Sequence, residues 1–99
     1  MINISYKKDI IIKEIKISGH ANFAEFGKDI VCAAVSSIVT TTINNILSLD
    51  NKAIKYEDND GYILITNEDN EIADKLLNNM LSMLNELAED YPKNIKIGG

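Results

Sequence analysis

Ile2, Ile4 and Tyr6 alternate with polar neighbours at the start of the chain, the period-two signature of a half-buried strand. After "KKD" an isoleucine-rich run from Ile10 to Ile17 predicts a second strand, with the turn between them at those three polar residues. The apolar positions change parity between Ile12 and Ile15, which predicts a bulge or kink there. From Ile30 the period switches: Val31, Val35, Ile38, Thr42 and Ile46 fall three or four apart, and Ala34, Val39, Ile43 and Leu47 broaden the same side. That spacing predicts a helix to about Leu49, capped by Asp29. Thr40, Thr41 and Thr42 are poor helix formers, so burial must hold its middle.

The stretch "NKAIKYEDNDGYILITN" reads as a hairpin: Ile54 and Tyr56 alternate, Asp60-Gly61 suits a positive-φ corner, and Tyr62 to Ile65 return. Asn67 or Asp69 is then placed to cap a second helix with the stripe Ile72, Leu76, Met80, Met83, Leu84 and Leu87, ending before Tyr91-Pro92. "KNIKIGG" is able to add a last strand. The pattern predicts an α+β fold, a small mixed or antiparallel sheet of four to five strands with two amphipathic helices packed on one face. Residues 1–99 are expected to form a single domain, of a size at which pairing with a second copy commonly adds stability.

Composition narrows the class. A hydrophobic fraction of 45% with 25% charged residues is ordinary for a folded globular chain. A net charge of -5 disfavours nucleic acid and anionic membranes as partners and favours a basic peptide. One cysteine excludes an internal disulfide, and "MINISYKKDI" does not resemble a secretion signal, so a cytoplasmic location is expected. No apolar run is expected to approach the roughly 20 residues of a membrane span.

The chemistry concentrates in "GHANFAEFGKDIVCAAVS", which holds the only histidine, His20, and the only cysteine, Cys32. A lone cysteine on an apolar helix side is commonly a buried filler. In the first turn after Asp29, however, the unpaired N–H groups favour an anionic sulfur, while the Asp29 charge opposes it. His20 follows a strand whose end opens into the loop that returns to the helix start. The alternatives for it are a strand-end residue bonded to a carbonyl, or a partner to Cys32 that takes its proton and returns it to a leaving amine. N–H groups of the helix start are then candidates for holding an oxyanion. One histidine and one cysteine supply only half a zinc shell, so no metal site is expected.

Between them, Gly27 is suited to a left-handed conformation, and Phe23 and Phe26 are either a plug docking the loop or a lid over substrate. Ser36, one turn beyond Cys32, points into the site or bonds back to the Cys32 carbonyl. Ala33, Ala34, Ser36 and Ser37 are small enough for close approach of the second helix or a twin subunit. The acidic runs "YEDNDG" and "NEDNE" read as solvated turn and cap residues.

This stretch resembles the signature of the bacterial ribosomal-processing cysteine protease family, Prp: Gly19, His20 and Ala21, a short loop, then Gly27, Asp29, Ile30, Val31, Cys32, Ala33 and Ser36. The order of elements fits that family over nearly the whole chain, with departures at Ala24 and Ala34, where glycines are common in it. The resemblance implies a dimeric endopeptidase that removes the basic N-terminal extension of the twenty-seventh protein of the large ribosomal subunit. It implies Cys32 as nucleophile and His20 as base and acid. Gly19, Asp29, Ser36, Ala33, Phe23 and Gly27 would organise the site or bind peptide, the loop would order around substrate, and no cofactor is needed. The competing expectations are a non-catalytic ribosome-associated peptide-binding module with a structural cysteine, and a redox-sensing thiol, the latter weakened by the lack of a resolving cysteine.

Overall fold

The computed structural model describes residues 1–25 and 29–99. Phe26 and Gly27 lie outside the described residues, and with them the expectations of a plug and of a left-handed glycine. The chain runs β1 (Ile2–Asp9), β2 (Ile11–Gly19), α1 (Ile30–Leu49), β3 (Ile54–Asn59), β4 (Tyr62–Asn67), α2 (Glu71–Asp90) and β5 (Ile95–Gly98). The five strands form one mixed sheet in the order β3-β4-β2-β1-β5, antiparallel except for the β1–β5 pair. With two helices on it, this is the α+β architecture expected.

The parity change in β2 is a bulge. Lys7 pairs with Glu14 but Lys8 with Ile12, so one extra β2 residue lets both Ile12 and Ile15 face the core, each fully buried. The first turn differs from expectation: β1 continues through Lys7, Lys8 and Asp9, and the chain reverses at Ile10, which has φ +66° and is 93% exposed.

Along α1, Val31, Val35, Val39, Ile43 and Ile46 are buried in one cluster with Ile4, Ile15, Ile65 and Leu77. The helix is 20 residues long with a best-window mean hydropathy of 1.7, long and apolar enough to cross a bilayer, which corrects the expectation that no such run exists. Its apolar stripe instead packs into this core, and α1 lies against α2.

In α2 the apolar face is offset from the expected one. Ala73, Leu77, Met80 and Leu84 are buried, Leu76 and Leu87 sit at the rim, and Ile72 and Met83 are exposed. The cap is Asn70, not Asn67 or Asp69. Asn70 Oδ1 accepts the Ala73 N–H at 2.9 Å, while Asn67 is buried, donating to the Ile12 carbonyl at 3.0 Å and accepting the Asn70 N–H. Asp69, at φ +55°, pairs with Lys13.

Candidate active site

The site forms where β2 ends, α1 begins and the β3–β4 hairpin turns. Gly19 closes β2 at φ +94°, and a side chain there would meet the Met1 carbonyl oxygen at 2.3 Å, so only glycine fits. Its N–H donates to the Gly61 carbonyl at 2.9 Å, tying the strand end to the hairpin turn. His20 leaves the sheet here and is exposed. Ala21 is buried and held on both sides. Its carbonyl accepts from Asn94 Nδ2 at 2.9 Å, and its N–H donates to Cys32 Sγ at 3.2 Å. The residue that follows the histidine therefore touches the sulfur.

Asp29 is the helix cap expected. Its Oδ1 accepts the N–H groups of Val31 and Cys32, both at 3.0 Å, and its Oδ2 accepts the Phe23 N–H at 3.1 Å. The N–H bond from Cys32, with further help from Phe23, holds the Asp29 carboxyl below its ordinary value against the opposing effect of desolvation. The arrangement also bears on the expected oxyanion site at the helix start. The Val31 and Cys32 N–H groups go to the Asp29 carboxylate and the Ala33 N–H goes to the Asp29 carbonyl at 3.1 Å, so these three are already engaged.

Cys32 is half-buried and opens onto a cleft of about 830 Å³. His20, Gly19, Asp29, Ala33 and Ser36 line the same cleft, so these candidates come together. Ser36 is exposed on the cleft wall; the hydroxyls that bond back along α1 are those of Thr42, to the Ile38 carbonyl, and Ser48, to that of Asn45. Phe23 does not join them: 45% exposed, it packs edge-to-face on Tyr91 with centroids 5.4 Å apart. Its contribution to the site is the backbone N–H given to Asp29.

Sequence reasoning missed two parts of the site. Asn94, which reaches Ala21 from a position 73 residues away, carries no local signal. The hairpin end is the other: Asp58, Asn59, Asp60, Gly61 and Tyr62 line the cleft along with residues of α1, so the "YEDNDG" run is not only solvated surface. The Asp-Gly corner was legible as a turn, but its proximity to His20 depends on β4 pairing with β2, where Tyr62 faces Ser18.

A thiol reached from solvent, with an imidazole lining the same cleft, offers acyl transfer to and from sulfur, and protease chemistry is the class in which known proteins put the chain. The family model described as Cysteine protease Prp matches residues 1–96, and the chain belongs to that family of cysteine proteases. It is 32% identical over 100 residues to the "Ribosomal processing cysteine protease Prp" of Staphylococcus aureus (strain Mu50 / ATCC 700699), covering 97% of this chain and 94% of the relative. The protein of that name from Bacillus subtilis (strain 168) is 29% identical over 104 residues, covering 97% and 91%. Among solved structures, the essential ribosomal processing protease Prp from S. aureus, in complex with a covalently linked product peptide, matches with a TM-score of 0.93 at 29% identity over 99% of this chain and 98% of that one. SMU.848 from Streptococcus mutans matches at 0.78 and 28% identity over 98% and 91%. The reading of the chain as a non-catalytic module with a buried cysteine falls with this membership and with the half-exposed thiol.

Proposed function

We propose that the protein is an endopeptidase that removes the N-terminal extension of the twenty-seventh large-subunit ribosomal protein through a Cys32–His20 dyad. The observation that carries this reading is the Ala21 N–H on Cys32 Sγ at 3.2 Å, with the adjacent His20 on the same cleft. In the first half-reaction the thiol proton passes to the imidazole and Sγ bonds to the peptide carbonyl carbon. As charge moves from sulfur to oxygen, the Ala21 N–H, which donates to Sγ at rest, follows it as oxyanion donor. The imidazolium then protonates the leaving nitrogen, the C–N bond breaks and a thioester remains. In the second half, His20 takes a proton from water and the hydroxide adds to the thioester carbonyl. The S–C bond breaks and the imidazolium returns its proton to sulfur, while the acid leaves as a carboxylate with its proton lost to solvent.

Asp29 and Gly19 organise the site in this scheme, while Ala33 and Ser36 border the bound peptide. A basic extension suits a chain of net charge -5 whose cleft wall carries Asp58 and Asp60. The relatives' printed role in ribosomal processing supports the substrate class. Processing of a newly made ribosomal protein assigns the enzyme to the cytoplasm. The charge-free α1, with Ser37, Thr41 and Asn44 exposed, suits pairing of two copies. Incubation with the organism's own precursor of that ribosomal protein, followed by intact mass measurement, tests the substrate. A single cut that shortens its N-terminus is expected, and an uncut precursor at micromolar enzyme overturns the assignment.

A further inference from the structure

We propose that Gly61, in the β3–β4 turn, is a positioning residue for His20, its bare α-carbon forming the surface on which the imidazole rests. The inference builds on the dyad reading and adds an element from the β3–β4 hairpin, which lines the cleft together with Cys32.

Two independent features meet at this glycine. Gly61 has φ +71°, a left-handed conformation that L side chains adopt at a cost. A Cβ built there would lie 3.0 Å from His20 Nε2, 3.4 Å from Cε1 and 3.8 Å from Cδ2. The edge of the ring carrying Nε2 thus lies against the bare Gly61 α-carbon, and a methyl group there would push it aside by a few tenths of an ångström. The same residue's carbonyl accepts the Gly19 N–H at 2.9 Å, so the turn holds both the backbone just before His20 and the tip of its side chain. An exposed imidazole on a strand end has freedom about two side-chain torsions. The turn removes part of that freedom from one side, and Ala21, bonded to Cys32 Sγ and to Asn94, fixes the backbone on the other. Proton transfer tolerates little error in this geometry: a displacement of about 1 Å costs up to about 10²-fold in rate.

The test compares Gly61→Ala with Gly61→Asn in the full chain. Both add a Cβ beneath the ring, but asparagine tolerates positive φ, so only alanine retains the full backbone strain. With a peptide copying the ribosomal extension as probe, both variants are expected to lose about three- to tenfold in kcat with KM within about twofold. The melting temperature should fall in Gly61→Ala and recover in Gly61→Asn. Wild-type kcat in Gly61→Asn overturns the proposal, because the glycine would then serve only the turn. The contact is read separately by NMR, which is clean because His20 is the only histidine. A nuclear Overhauser effect between the Gly61 α protons and the His20 ring is expected, and its absence overturns the proposal. Failure of the wild type to cleave any such peptide would sink the dyad reading instead, leaving the Overhauser measurement to decide the contact.

Discussion

Replacing Asn94 with alanine should damage the active site from outside it. The Asn94 side chain gives one hydrogen bond, 2.9 Å to the carbonyl of Ala21, and Ala21 is 1% exposed. Its loss removes a bond of about 0.5–1.5 kcal/mol and leaves a buried acceptor unsatisfied at about 1–3 kcal/mol where water cannot enter. With partial water entry the net cost should be about 2 kcal/mol, which lowers Tm by about 8–16 °C in a domain this small. The Ala21 N–H that reaches Cys32 Sγ belongs to the tethered residue, so kcat should fall as well while the core stays intact. Asn94→Asp is the sharper variant, because it keeps the size and replaces the donor with an anion facing the carbonyl. Thermal melts with cleavage kinetics on the same preparations provide the assay. If Asn94→Asp retains both the Tm and the kcat of the wild type, the tether has no energetic role and the argument from this bond fails.

Other substitutions probe the supports of the site. Asp29 has a folded-state pKa lowered from 3.8 by the N–H groups it accepts, so its contribution to stability is present above about pH 4 and is lost as pH falls through the lower folded value. Acid titrations followed by circular dichroism should therefore show Asp29→Asn losing its stability difference from the wild type as pH drops below 4. Leu77→Ala, at a site with no exposure and in contact with the core cluster, should cost about 2–5 kcal/mol in urea unfolding. Ile10→Asn should stabilise by about 1 kcal/mol, since it relieves a β-branched residue held at φ +66° while giving up a side chain already in water.

The parts of this molecule that were legible from sequence are those fixed by local physics. Asp29 was readable as a cap because a carboxylate before an apolar period of three and four has few other uses. The Ile12 to Ile15 parity change reads as a bulge because two isoleucines cannot otherwise share a strand face. In α2, by contrast, apolar residues cover a wide arc. Which edge of that arc faces the sheet is decided by packing, and the stripe turned to Ala73 and Leu77, leaving Ile72 in solvent. Asn67 and Asp69 read as the local caps, but a distant carbonyl, that of Ile12, draws Asn67 inward and the role falls to Asn70. The same limit applies to the site. His20, Cys32 and Asp29 belong to one short stretch and were found together. Asn94 and Gly61 reach it only through strand pairings and a hydrogen bond that no local pattern encodes.

The central claim, that Cys32 and His20 together cleave a peptide bond, is tested most directly by acid-quenched reactions with the extension peptide, read by intact mass. The wild type should show product, together with a Cys32-linked acyl adduct when the quench precedes deacylation. Cys32→Ala and His20→Ala should both be folded and inactive, and the former should carry no adduct. Cleavage at the wild-type rate by either variant would contradict the account.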